Sequence, residues 1–187
     1  MKLGFMSDTH GSYEYVVQTL ELLKGSKQIC HLGDVLYHGP RNDLPETYNP
    51  KKLADILKNR TDIIYVRGNC DSDVDETVTG QDISNKLKII DFDNYRFYLV
   101  HGYEETEDER IKEAKRFGCN VVVSGHSHVK VLKEKDGIIV LNPGSVTIPK
   151  DGTRSFAVYE NGQIELWDLE RQCRIKSLKL QTNSKLE

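Results

Sequence analysis

Asp8, His10, Asp34, Asn69, His101, His126 and His128 are the residues of this 187-residue chain whose types and spacing could do chemistry together. They stand in five short segments: SDTHG, LGD, RGNCD, LVHG and SGHSH. Members of the D-x-H and H-x-H pairs are two residues apart, so in extended backbone both side chains of a pair point to one side. The set holds two Asp, one Asn and four His, with no thiolate. Mixed oxygen and imidazole donors suit Mn, Fe, Zn, Co or Ni, and are too rich in imidazole for Mg or Ca alone. Seven side chains exceed what one such ion takes from protein, whereas two ions sharing a carboxylate use them all. Asp34, the single ligand of its turn, is the natural bridge, with the ions roughly 3.5–4 Å apart.

Each segment closes a run that reads as a buried strand: KLGFMS, QICHLG, DIIYVR, NYRFYLV and NVVVS. Ligands therefore collect just past the C-terminal ends of strands, the edge at which sites form in open α/β sheets. Glycines beside them (Gly11, Gly33, Gly68, Gly102, Gly125) allow close backbone approach. Residues 13 to 23 carry Tyr13, Val16, Val17, Leu20 and Leu23 on one helical face. Asn49-Pro50 caps a helix running KKLADILKNR, and TEDERIKEAKRFG is a helix with an acidic start and a basic end. LKIIDF pairs with NYRFYLV around Asp93-Asn94. From Val129 the chain is read as strands VKVLKEK, GIIVLN, RSFAVYE and QIELWDL, with Asp136-Gly137 and Asn161-Gly162 as hairpin turns. This order, β-α alternation and then hairpins, implies an α/β fold of mixed sheets covered by helices.

The remaining residues have plainer readings. HGPRNDLPETYNP, after Asp34, is a long polar loop from which His38 and Arg41 could reach a phosphoryl group. His31, inside its strand, reads as a core histidine or a support for the ligands. Asn142 and Ser145 support the metal loops or simply make a Pro-Gly turn. The acidic run Asp71, Asp73, Asp75, Glu76 reads as a solvated loop, and the strand around Trp167 as core or subunit contact.

Length favours one domain over residues 1–187, with Leu186-Glu187 read as tail or cloning scar. A net charge of −3 argues against non-specific grip on nucleic acid. Cys30, Cys70, Cys119 and Cys173 form no CxxC pair, so reduced thiols and a cytoplasmic location are expected. No apolar run suggests a membrane span, and MKLGFMSD turns acidic too soon for a signal peptide.

The segments D-x-H, G-D, G-N-C-D, H-G and G-H-x-H, in this order, resemble the signature of the calcineurin-like metallophosphoesterase superfamily. The loop LYHGPRNDLPETYNP and the stretch NPGSVTIPK are further similar to small prokaryotic phosphodiesterases of the YfcE type. The resemblance implies a four-layer α/β/β/α sandwich of two mixed sheets. It implies one metal held by Asp8, His10, Asp34 and His128, and a second held by Asp34, Asn69, His101 and His126. Manganese leads among the divalent ions, with Fe, Zn, Ni or Co as alternatives. The implied activity is hydrolysis of a small phosphodiester by a bridging hydroxide, with Asp34, Cys70 and Asp71 as catalytic residues. Cys70 departs from the His that many relatives carry there, which leaves it open between a packing residue and a part in the leaving-group step. Alternatives are a phosphomonoesterase, a cyclic-nucleotide phosphodiesterase or a nuclease on the same site, and a non-catalytic protein-binding scaffold of the same fold. A homodimer or homotetramer is also expected to be possible.

Overall fold

The structure, a computed structural model, describes residues 1–181; Leu186-Glu187, read as tail, lies outside the described residues. Strand β1 (Lys2–Met6) is followed by helix α1 (Tyr13–Leu22), β2 (Gln28–His31), α2 (Pro50–Leu57), β3 (Ile63–Tyr65) and α3 (Asp73–Thr79). Then come β4 (Leu87–Phe92), β5 (Tyr95–Val100), α4 (Glu107–Arg116), β6 (Val121–Val123), β7 (Val131–Lys135) and β8 (Ile138–Asn142). The last three strands are β9 (Ser155–Glu160), β10 (Gln163–Asp168) and β11 (Cys173–Lys179).

Two sheets result, one of six strands in the order β11-β10-β9-β1-β2-β3 and one of five in the order β4-β5-β6-β8-β7. Period-two alternation divides the side chains of each strand between two cores. Leu3, Phe5, Cys30 and Leu32 face Phe97, Leu99, Val121 and Val123 between the sheets. From the opposite faces, Met6, Ile29, Ile63 and Tyr65 pack with Val16 of α1 and with Leu53 and Leu57 of α2. Tyr98, Val100, Val122 and Val140 pack with Ile111 and Ala114 of α4. Helices thus cover the outer face of each sheet, giving the α/β/β/α layering.

Strands β1, β2 and β3 run parallel, as do β5, β6 and β8. Each sheet therefore has three parallel strands whose C-terminal ends lie side by side; in the larger sheet antiparallel strands β9, β10 and β11 extend them on one side, and in the smaller sheet antiparallel β4 and β7 flank them on both. Asn49 caps α2 by accepting from the Lys52 N–H at 3.1 Å, and Thr106 with Glu109 closes a capping box on α4.

Two expectations need correction. The acidic run after Asp71 is helix α3, not a solvated loop: Ser72 and Asp75 form a capping box, and Asp75 is buried. Three acids in its first turn suit the helix dipole. The hairpin series also has one more member, β11, which pairs antiparallel with β10. CRIKSLK is almost wholly exposed at the sheet edge, so it lacks the apolar alternation that marks a half-buried strand.

Candidate metal centre

All seven expected ligands stand on the loops that leave the C-terminal ends of the parallel strands of the two sheets. Asp8 and His10 follow β1, Asp34 follows β2 and Asn69 follows β3; His101 follows β5, and His126 and His128 follow β6. Asp8, His10, Asp34, His126 and His128 all have positive φ, between 43° and 64°. Such backbone is disfavoured for residues with a Cβ. Here neighbouring loops fix it. Asp8 N–H donates to the Gly33 carbonyl (3.1 Å), His10 N–H to that of Asp34 (3.0 Å), and Gly125 N–H to that of His101 (2.9 Å). Close approach also leaves no room for side chains at two glycines: a Cβ on Gly68 would lie 2.1 Å from Asp34 Oδ1, and one on Gly125 1.9 Å from Ser7 Oγ.

The imidazoles are aimed by their Nδ1 atoms. His10 Nδ1 donates to the Tyr37 carbonyl (2.7 Å), His128 Nδ1 to that of Ile148 (2.7 Å) and His101 Nδ1 to that of Leu32 (2.5 Å). A carbonyl oxygen only accepts, so each Nδ1 carries a proton, and a ring without a second proton turns its Nε2 lone pair inward. His10 Nε2 and His128 Nε2 are 3.3 Å apart. Two lone pairs at that distance repel unless something positive lies beside them.

The carboxylates make the same demand. Asp8 Oδ2 accepts from Ser7 Oγ (2.5 Å) and from the His126 N–H (3.1 Å), whereas the buried Oδ1 has no hydrogen-bond partner. That bare oxygen lies 3.2 Å from His128 Nε2 and 3.9 Å from the Nε2 atoms of both His10 and His101. Asp34 gives Oδ1 to the Cys70 N–H (2.8 Å) and turns Oδ2 toward His101 Nε2 (3.4 Å) and His10 Nε2 (3.8 Å). Burial alone would lower the pKa of His101, but the hydrogen bond to Asp34 and the charges of Asp8 and Asp34 raise it to about 9. Without metal, a proton on His101 thus supplies the positive charge these oxygens call for. Ligand atoms of Asp8, His10 and His128 lie within 4.8 Å of one another, as do those of Asp8, Asp34 and His101. An orphaned buried oxygen, facing lone pairs and two carboxylates fit divalent cations of the borderline class.

Asn69 and His126 are more open. Asn69 Oδ1 is 3.2 Å from His101 Nε2, and the His126 ring stands edge-on to His101 with centroids 5.2 Å apart. Cys70 is half-buried, and its sulfur lies within 4.8 Å of ligand atoms of His10 and Asp34. Burial first, and then the Asp34 charge, push its thiol up to about 12, so without a cation it stays protonated. Asp71 holds backbone: its carboxylate accepts from the N–H groups of Val35 (2.7 Å), Gly68 (2.7 Å) and Asp34 (2.9 Å). Burial lifts its carboxyl to about 6 despite these donors. The residue ties the Asp34 turn to the Asn69 turn.

His38 sits between the rings of Tyr37 and Tyr48, with Nδ1 buried and unpartnered. Arg41 is exposed and forms no ion pair among the described residues. Neither is hydrogen-bonded to the seven ligands among those residues. His31 is a support: its Nε2 donates to Thr9 Oγ1 (2.9 Å), and its Nδ1 accepts from the Gly33 N–H (3.2 Å). Burial drives its pKa down to about 3, so it stays neutral.

Of the groups that hold the ligand loops, Asn142 and Ser145 act as the supports the sequence suggested, whereas Thr147 and the backbone carbonyls were passed over. Ser145 Oγ donates to the Asp8 carbonyl (2.8 Å) and Thr147 Oγ1 to the Thr9 carbonyl (2.8 Å), while Asn142 Nδ2 donates to that of Gly125 (2.7 Å). The hydroxyls and amide of NPGSVT were a visible signal. The carbonyls of Leu32, Tyr37 and Ile148 had none, because any residue supplies one.

Comparison with known proteins follows the same outline. A family model, the calcineurin-like phosphoesterase superfamily domain, matches residues 1–163. Phosphodiesterase YfcE of Escherichia coli strain K12 is 38% identical over 176 residues, covering 92% of this chain and 94% of the relative. A Methanocaldococcus jannaschii protein, also named a phosphodiesterase, is 24% identical over 77% of this chain and 83% of its own. Among solved structures, that of the E. coli phosphoesterase YfcE superposes with a TM-score of 0.88 at 35% identity, covering 97% of this chain and 100% of the other. Vacuolar protein sorting 29 of Cryptosporidium parvum superposes with a TM-score of 0.68 at 20% identity over 95% and 97% of the two chains, a likeness of fold alone.

Proposed function

Since the chain belongs to the calcineurin-like phosphoesterase superfamily, we propose that it is a metal-dependent phosphodiesterase, one domain acting on small phosphodiesters. The carrying observation is the bare, buried Oδ1 of Asp8, which faces the inward Nε2 atoms of His10, His101 and His128. Asp8, His10, Asp34 and His128 would hold one cation, and Asp34, Asn69, His101 and His126 the other. Bound there, two divalent ions supply Lewis acidity, lowering the pKa of water and offsetting charge in the in-line transition state. Everything else falls to the chain. The Tyr37, Leu32 and Ile148 carbonyls fix the ring orientations, and Asp71 keeps the Asp34 and Asn69 turns in register. The Cys70 thiol, whose sulfur lies within 4.8 Å of ligand atoms of His10 and Asp34, would serve the departing oxygen. His38 and Arg41 bring further donors from the loop after Asp34.

Manganese is the proposed metal. Two features support a cytoplasmic location: all four cysteines are free, and no described helix is long and apolar enough to cross a membrane. The test is hydrolysis by the manganese-reconstituted protein. Bis(p-nitrophenyl) phosphate is expected to turn over faster than p-nitrophenyl phosphate. A clearly faster monoester would overturn the diester assignment, and the absence of both activities would overturn the hydrolase.

A further inference from the structure

Helix α3 is inside out. Its buried residues are Asp75 and Thr79, polar groups satisfied locally: Asp75 closes the capping box, and Thr79 Oγ1 donates to the Asp75 carbonyl (2.6 Å). Its apolar residues, Val74 and Val78, are 65% and 43% exposed. They stand four apart, on one helical face. A surface helix ordinarily turns such residues inward. The face they make is one wall of a groove of about 680 Å³, whose other wall includes Ala54 of α2 and the rings of Tyr37 and Tyr48. That volume falls within the range of sites for small organic ligands.

The groove is continuous with the metal centre at two points. Cys70 lines it, and the Cys70 sulfur lies within 4.8 Å of ligand atoms of His10 and Asp34. Tyr37, a residue 42% exposed, also lines it, and its carbonyl holds His10 Nδ1 at 2.7 Å. The Tyr37 wall is braced: His38 packs against both tyrosines, with centroids 4.8 and 5.4 Å away. Lys51, Lys58 and Asp55 along α2 bring charges of both signs to the lining, so no single charge dominates.

We propose that this groove receives the organic arm of the ester, so that the protein selects phosphodiesters with an apolar or aromatic group beside the phosphate. The inference rests on the phosphodiesterase reading and deepens it. The metal centre grips the phosphoryl group in any substrate; Tyr37, Val74 and Val78 decide which substituent rides with it.

Two phosphonates that differ only in the arm provide the test. Phenylphosphonate and methylphosphonate are titrated calorimetrically into the manganese-loaded full chain. Wild type is expected to bind the phenyl compound about tenfold more tightly. In Val74→Glu that advantage disappears while the affinity for methylphosphonate is unchanged, and in Val78→Thr, a change of polarity at nearly constant shape, it shrinks in the same direction. Equal affinities in wild type, or an advantage that survives Val74→Glu, would overturn the groove and leave the phosphodiesterase reading standing. Failure of both phosphonates to bind would overturn the groove, while the phosphodiesterase reading falls only if bis(p-nitrophenyl) phosphate is not hydrolysed. If Val74→Glu weakens both ligands equally and also changes the sedimentation coefficient, the groove is a contact between subunits and the proposal is overturned.

Discussion

The hairpin turns and the ligand loops carry the same kind of backbone strain and hold it in opposite ways. Asp93, Asp136, Asn161 and Gln172 have positive φ at the reversals β4–β5, β7–β8, β9–β10 and β10–β11, where turn geometry asks for it. Asp and Asn tolerate that conformation, and the strain is met within a few residues. Asp8, His10, Asp34, His126 and His128 have the same sign of φ with no hairpin to require it. Their conformation is imposed from a distance, by the Gly33, Asp34 and His101 carbonyls and by Ser145 and Thr147, more than 130 residues along the chain from Asp8 and Thr9. Turn strain belongs to folding; loop strain aims side chains at one point. The two regions should therefore answer differently to similar changes.

The largest difference is expected at Asp34. Asp34→Asn removes charge where two ions would share it, and should cut both bound manganese and diester hydrolysis by at least about a hundredfold. Elemental analysis of the reconstituted variant checks this, and full stoichiometry would mean that Asp34 does not bridge. Glycines sharpen the contrast. In Gly68→Ala the new methyl meets Asp34 Oδ1 at 2.1 Å, whereas at Gly137, in the β7–β8 turn, nothing lies within 4 Å. Gly68→Ala is expected to lose about 2 kcal/mol of stability and at least about tenfold in metal affinity. Gly137→Ala should cost about 1 kcal/mol, from its positive φ alone, and leave metal binding untouched. Chemical denaturation and metal titration of the pair would show whether the two regions separate.

A pH series gives a smaller effect. In the metal-free protein the pKa of His101 is raised from 6.5 to about 9. Its stabilising contribution is fully present below pH 6.5 and is lost as pH rises through about 9. A cation must displace that proton, so manganese affinity should strengthen by up to about tenfold per pH unit across the same window. Opposite trends in apo melting temperature and metal affinity are the expected result; a flat affinity would mean that His101 carries no proton there. The least effect is expected from Asp136→Asn, which keeps a residue tolerant of left-handed backbone: a stability change within about 0.5 kcal/mol and unaltered metal binding.

This division also marks what the sequence made legible. Strands such as VVV and FYLV announce themselves by apolar content, and Asp-Gly and Asn-Gly announce their turns. The candidate ligands could be singled out because D-x-H and H-x-H follow those strands directly. Helix α3 was not, since its buried face is polar and its valines face outward, the reverse of the amphipathic signal. Nor was the part Asp71 plays, because two of its partners, the N–H groups of Asp34 and Val35, lie 37 and 36 residues away. Strand β11 escaped because an exposed edge needs no apolar face.

The tethers from Ser145, Thr147 and Ile148 reach back to Asp8, Thr9 and His128. During synthesis, then, the first ligands emerge from the ribosome long before the residues that orient them. A nascent chain holds every proposed metal ligand by residue 128 and still lacks the stretch that ties down the early loops. A chain cut short before residue 145 would carry the candidate ligands without the hydroxyls and carbonyl that orient Asp8, Thr9 and His128.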